Sequence, residues 1–122
     1  MSIGLVSFGY RHGPPAQADL VIDVRFLPNP NFVDELRPLP GTDRAVREYV
    51  LQSDETKGFL ERFMSLLDYL IPLYEREGKS YLTIAVGCTG GRHRSVFVAH
   101  YLADALQGSG YQAVEYHRDI SR

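Results

Sequence analysis

The spacing of apolar and polar positions changes period several times along this chain, and each change marks an element. Ile3 to Phe8 is apolar except for Gly4 and Ser7 and reads as a strand. Gly9 to Ala18 is a loop, with Gly13, Pro14 and Pro15 as breakers. Leu20 to Phe26 reads as a second strand, in which Asp23 and Arg25 share one face at period two. Pro28, Pro30, Pro38 and Pro40 then forbid regular structure. Thr42 or Asp43 can cap a short helix to about Leu51, and Ser53 or Asp54 a longer one. In the longer helix Phe59, Leu60, Phe63, Leu66, Leu67, Leu70 and Leu73 follow the helical stripe, and Pro72 is expected to kink or end it. Tyr81 to Val86 is a near-continuous apolar run, the mark of a buried strand. His93 to Leu106 is helical, with Val98, Tyr101, Leu102, Ala105 and Leu106 inward, and Gly108 to Gly110 stop it. Gln112 to His117 reads as a last strand near a sheet edge.

Strands separated by helices imply right-handed crossovers. The fold class expected is therefore α/β: a mainly parallel four-stranded sheet with flanking helices, one domain over residues 1–122. In such sheets the ligand crevice lies outside the carboxyl ends of the strands. The second and third strands would then open Asp23, Arg25 and the proline-rich segment onto the same crevice as the loop after Val86.

That loop carries the chemistry. Gly87-Cys88-Thr89-Gly90-Gly91-Arg92-His93-Arg94-Ser95 joins a buried strand to a helix start. Backbone N–H groups at a helix N-terminus point outward and the helix dipole favours an anion there. Gly90 and Gly91 let the backbone turn inward, and Arg94 can grip a phosphate with two parallel hydrogen bonds. A Walker A loop is excluded, because counting from Gly87 its Gly-Lys pair falls on Arg92-His93.

Composition narrows the partners. The chain has 13 basic and 15 acidic residues and a net charge of -2, so nucleic acid would need a local basic patch. The single cysteine, Cys88, precludes an intrachain disulfide, and a cytoplasmic protein is expected. No run approaches a membrane span, and Met1 to Tyr10 lacks the marks of a signal peptide. No metal or other cofactor is expected, since no Cys and His cluster has ligand spacing.

Two resemblances follow from these residues. Cys88, five residues, then Arg94 and Ser95 is similar to the phosphate loop of cysteine-dependent phosphatases, where a thiolate attacks phosphorus and arginine closes the cradle. Cys88 and Arg94 are then catalytic candidates, although Gly87 stands where the tyrosine-phosphatase branch has histidine. The longer resemblance covers nearly the whole chain: Val21 to Pro30, Glu35 to Pro38, Gly41, Tyr81 to Val96, Ser7 to Tyr10 and His117 to Asp119 look like the C-terminal domain of RapZ-type RNase adapter proteins. That resemblance implies a non-catalytic sensor of glucosamine-6-phosphate, with small RNA and regulatory proteins as partners and self-association into a homo-oligomer. The nucleotide-binding domain that precedes it in full-length members has no counterpart here, and both an excised domain and a stand-alone relative fit. In the family a histidine follows the Leu-Pro-Asn-Pro segment; here the position is Asn31, which can hydrogen-bond but carries no charge.

The ligand site expected from these readings comprises Cys88, Thr89, Gly90, Gly91, Arg92, His93, Arg94 and Ser95, with Arg25, Asn29 and Asn31 from the proline-rich side. Plainer readings stand beside it. Cys88 is preferred as an inert small hydrophobe, and Ser95 can simply satisfy a first-turn backbone group. Arg92 can point to solvent or to RNA, and His93 can be an ordinary first-turn residue. Asp23 is favoured as a support for the loop and Arg25 as a pocket residue. His12 reads as an exposed loop residue, His100 as helix surface, and His117, Arg118 and Arg122 as a small basic end that is either solvated or touches RNA. The expectation is a domain that binds a phosphorylated amino sugar as a sensor or adapter, with a cysteine phosphatase or an RNA-binding module without a small-molecule ligand as alternatives.

Overall fold

The computed structural model describes residues 1 to 122 throughout. Its centre is the strand β3 (Tyr81–Cys88), buried from Leu82 onward. Around it lie β1 (Ser2–Gly9), β2 (Leu20–Asp23) and β4 (Gln112–His117), in the order β2-β3-β1-β4, every neighbouring pair parallel. Three helices complete the chain: α1 (Arg44–Leu51), α2 (Asp54–Glu77) and α3 (Arg94–Gly108). Single 3-10 turns occupy Tyr10–His12 and Pro30–Phe32. The expected α/β class holds, with a sheet that is parallel throughout, and Gln112–His117 is an edge strand as expected.

One core joins sheet and helices. Ile3 and Leu5 of β1 and Leu82, Ile84 and Val86 of β3 alternate along their strands and cluster with Val98, Leu102 and Leu106 of α3 and Leu60, Leu67 and Ile71 of α2. Each such side chain contributes about 1.5–3 kcal/mol on burial. Local chemistry sets the helix ends. The Asp43 side chain accepts from the Ala45 N–H, the Ser53 hydroxyl accepts from the Glu55 N–H, and Gly78 closes α2 at φ 98°.

Several element expectations are corrected. β2 ends at Asp23, three residues before Phe26, because the Asp23 carboxylate accepts from the Arg25 backbone N–H at 2.9 Å and turns the chain. Asp23 and Arg25 therefore meet across a turn and do not share a strand face. β3 runs on to Cys88, two residues past Val86. Pro72 does not end α2, which continues to Glu77. Pro72 lies on the exposed side, where water can satisfy the carbonyl freed one turn earlier. Leu66 and Leu73 lie outside the buried stripe, as does Tyr101 of α3, whereas Val98, Leu102 and Leu106 are buried as expected and Ala99 and Ala103 join them. Helix α3 begins at Arg94, with His93 as its capping residue, and extends to Gly108.

The register fixes what meets at the carboxyl end of the sheet. Gly9 lies opposite Cys88, Asp23 opposite Gly87, and Ser7 opposite His117. The segments that follow all four strands thus emerge at one rim.

Candidate anion-binding site

The loop from Thr89 to His93 crosses this rim between β3 and α3. Gly91 sits at φ 79°, and a Cβ there would lie 2.5 Å from the Gly9 backbone nitrogen and 2.9 Å from the Asp119 Cβ. Only glycine permits that conformation at that distance. Gly87, one residue before the cysteine, faces the rings of Phe8 and Tyr10, which fill the space any side chain would need. The glycine in place of histidine is therefore a packing requirement of this sheet.

The loop is tied on both sides. The Arg11 N–H donates to the Thr89 carbonyl at 3.1 Å, and the Gly41 N–H donates to the Arg92 carbonyl at 2.7 Å. His93 is buried and its Nε2 donates to the Arg37 carbonyl at 3.1 Å. Burial is the main cause that lowers the His93 pKa, outweighing that carbonyl bond. Arg92 reaches the carbonyls of Ile120 and Pro38, each at 3.3 Å. Ser95 is fully buried and its hydroxyl lies 3.1 Å from the Cys88 sulfur.

Arg94 is the unusual residue. It is only 5% exposed, yet no carboxylate lies within ion-pair distance of it. Its Nη1 donates to the carbonyls of Arg25 at 2.7 Å and Leu27 at 3.3 Å. Burial pushes its pKa down. A buried charge held only by carbonyls retains an unmet demand for an anion.

A cavity of about 460 Å³ opens at this point. Thr89, Gly90, Arg92, His93 and Arg94 line it from the loop, with Cys88 at its base. Asn29 and Asn31 line it from the proline-rich segment. The Asn29 side-chain oxygen accepts from the Asn31 N–H at 3.0 Å, which shapes the 3-10 turn that follows Asn29. None of the lining residues is a carboxylic acid.

Not every expected site residue faces that cavity. Ser95 and Gly91 are placed behind it, one bonded to Cys88 and the other packed on Gly9. Arg25 borders an adjoining concavity that shares Asn29, Thr89 and Arg94 with the first. Asp23 grips Arg25 through both carboxylate oxygens, and the guanidinium lies 4.1 Å over the Tyr10 ring. The Arg25 hydrogen bond is the chief cause that lowers the Asp23 pKa. Asp23 thus supports the rim, as favoured from the sequence.

Three lining residues escaped the sequence reading: Arg11, Phe32 and Arg122. The parallel-sheet rule could have found Arg11, since it follows a strand whose end borders the same crevice. Arg122 comes from the presumed basic end, which is in fact tied down. Asp119 is fully buried, accepts from the Gly9 N–H at 2.7 Å and from Arg118, and forms an ion pair with Arg122 at 3.2 Å. His117 is not a solvated tail residue either. It bonds the Ser7 hydroxyl at 2.7 Å and Glu115, which in turn reaches His100 on α3 at 2.8 Å.

A parallel α/β domain with a basic, carboxylate-free cavity at the carboxyl ends of its strands is the class these features define. The family model described as the RapZ C-terminal domain matches residues 1–121, and the chain belongs to that family. It is 58% identical over 122 residues to a nucleotide-binding protein of Anaeromyxobacter dehalogenans and 52% identical over 122 residues to one of Carboxydothermus hydrogenoformans. It is also 57% identical over 119 residues to a nucleotide-binding protein of Geobacter sulfurreducens. The chain spans 42% of the length of each of these relatives. No helix is long and apolar enough to cross a membrane.

Proposed function

We propose that this domain is a non-catalytic sensor or adapter that binds a phosphorylated amino sugar, glucosamine-6-phosphate or a close analogue, in the cavity over Thr89 to Arg94. One observation carries the reading: Arg94 is buried at the start of α3, without a carboxylate, beside a cavity lined by basic groups and no acid. A phosphate there would meet the helix N-terminus, the freed loop backbone and the guanidinium together. The cavity volume lies in the small-molecule range. Membership of the RapZ C-terminal family supports the sensor role and suggests small RNA, regulatory proteins and further copies of the chain as partners. The binding word in the relatives' names describes proteins more than twice as long, and this chain has no Walker A loop.

The phosphatase alternative has one supporting contact, Cys88 at the cavity base beside Ser95. No acid lines the cavity to protonate the leaving oxygen, Asp23 is held by Arg25, and Glu55, which lines the adjoining concavity, is engaged by the Ser53 hydroxyl at 2.8 Å. Calorimetry with glucosamine-6-phosphate and with unphosphorylated glucosamine tests the sensor reading. The expected result is saturable binding of the phosphate ester and none of the free amino sugar. Absence of binding by the ester at millimolar concentration, or equal binding of both, would refute it.

A further inference from the structure

The phosphate end of the ligand has its partners in the cavity over Thr89 to Arg94, but the amino group does not. An ammonium held in that cavity would face guanidinium groups and no acid. The acid it needs lies next door. The adjoining concavity, about 560 Å³, shares Asn29, Phe32, Thr89 and Arg94 with the first, so one molecule of hexose size can occupy both. Its outer wall differs in chemistry: Phe26 and Tyr49 supply aromatic surface, and Glu55 is its one carboxylate.

The surroundings of Glu55 leave it ready for a cation. It stands in the first turn of α2. The Ser53 hydroxyl donates to Oε2 at 2.8 Å and accepts from the Glu55 N–H at 3.2 Å, which orients the carboxylate. The other oxygen, Oε1, makes no hydrogen bond or ion pair within the chain. Arg25, the other charged residue on this wall beside Arg94, is already matched by Asp23 at 2.7 Å and does not neutralise Glu55. Between Glu55 and the Thr89–Arg94 loop stand two rings outside the core, Phe26 at 58% and Phe32 at 80% exposure. Phe26 is fixed edge-on against Phe59 of α2, with centroids 5.3 Å apart. An exposed ring fixed in place beside polar groups offers the C–H face of a sugar an apolar surface to pack on.

We propose that Glu55 reads the amino group: the phosphate sits at Thr89–Arg94, the sugar ring lies across Phe32 and Phe26, and the ammonium donates to Glu55 Oε1. The proposal rests on the sugar-phosphate reading of the site and adds the residue that separates an amino sugar from a neutral one. An ammonium on a carboxylate is a charge-assisted pair that a hydroxyl at the same carbon cannot match.

Calorimetry of glucosamine-6-phosphate against glucose-6-phosphate, which carries a hydroxyl in place of the amino group, tests it. The wild-type protein should bind the amino sugar at least about tenfold more tightly, the low end of what one charge-assisted hydrogen bond supplies. In Glu55→Gln that ratio should fall to near one, with glucose-6-phosphate bound as in the wild type. Ser53→Ala removes the capping hydroxyl and keeps the carboxylate, and there the preference should persist. Equal wild-type affinities, or a preference that survives Glu55→Gln, would overturn the assignment of Glu55 and leave the phosphate reading intact. Loss of the preference in Ser53→Ala as well, or an equal loss of both esters in Glu55→Gln, would reduce Glu55 to a helix cap and overturn it too. Binding of neither ester by the wild-type protein would overturn both readings.

Discussion

Arg94→Ala separates the two tasks the structure gives one guanidinium. Without ligand, the substitution removes the donor to the Arg25 carbonyl at 2.7 Å and the weaker one to the Leu27 carbonyl at 3.3 Å. A buried acceptor left unpaired costs about 1–3 kcal/mol, and loss of the packed aliphatic stem adds about 0.8 kcal/mol per methylene. Relief of a buried, carboxylate-free charge offsets part of this. A net loss of about 2–3 kcal/mol is expected. With an unfolding entropy of about 2.1 cal/mol/K per residue, that lowers Tm by about 8–12 °C. Ligand binding loses a further, separate quantity, about 1.5–3 kcal/mol for one charge-assisted contact, or roughly 10- to 150-fold in Kd. Thermal unfolding with and without glucosamine-6-phosphate reads both. At a ligand concentration of about 100 times the wild-type Kd, binding stabilises the native protein by about 2.7 kcal/mol, near 10 °C at the same slope. The variant should gain less than half of that. Arg94→Lys keeps the charge but not the planar fork and should fall between. A full ligand-induced rise in Arg94→Ala would show that the guanidinium does not meet the phosphate. An unchanged Tm without ligand would show that the two carbonyl bonds carry no stability.

Two further outcomes are expected. Burial alone would raise the Asp119 pKa, but the bonds from Arg118 and the Gly9 N–H draw it below its usual 3.8, so its stabilisation is present above that value and lost as pH falls through the lower folded value; as pH falls below 3.8, Tm should drop more steeply in the wild type than in Asp119→Asn, and parallel curves would refute the role of Asp119 as an anchor. Cys88→Ser should retain sugar-phosphate binding, and neither protein should release phosphate from an aryl phosphate, whereas release that disappears with the thiol would replace the sensor reading with a phosphatase.

The sequence pattern carried the element types well and their ends less well, for identifiable reasons. The apolar run from Leu82 to Val86 could hardly be anything but a central strand, and it is. The end of β2 was misplaced because Val24 and Phe26 continue an apolar alternation that the Asp23 side chain interrupts from within. A hydrogen bond between a side chain and the backbone two residues on leaves no trace in a hydrophobicity pattern. Pro72 misled in the opposite sense. Its effect depends on which side of the helix it faces, and Leu67 and Ile71 hold the buried side together while proline faces water.

The candidate site divides along the same line. Residues contiguous in sequence, Cys88 to Arg94, announce their chemistry by spacing alone. Arg11 and Arg122 do not, because their nearness to Arg94 follows from strand order. β1 inserts between β3 and β4 in the sheet, although it comes first in the chain. That insertion brings the Arg11 N–H, two residues after Gly9, against the Thr89 carbonyl, and it lets Asp119 bond the Gly9 N–H across a separation of 110 residues. Asp119 in turn packs its Cβ on the one loop position where a left-handed glycine is required, Gly91. The basic end is thereby one wall of the cavity, built by the strand that neighbours β1 and locked by a buried carboxylate. A patch of positive charge at a free terminus could serve any polyanion at low specificity. The same charges fixed around a concave volume define positions in space, and positions are what distinguish one small anion from another.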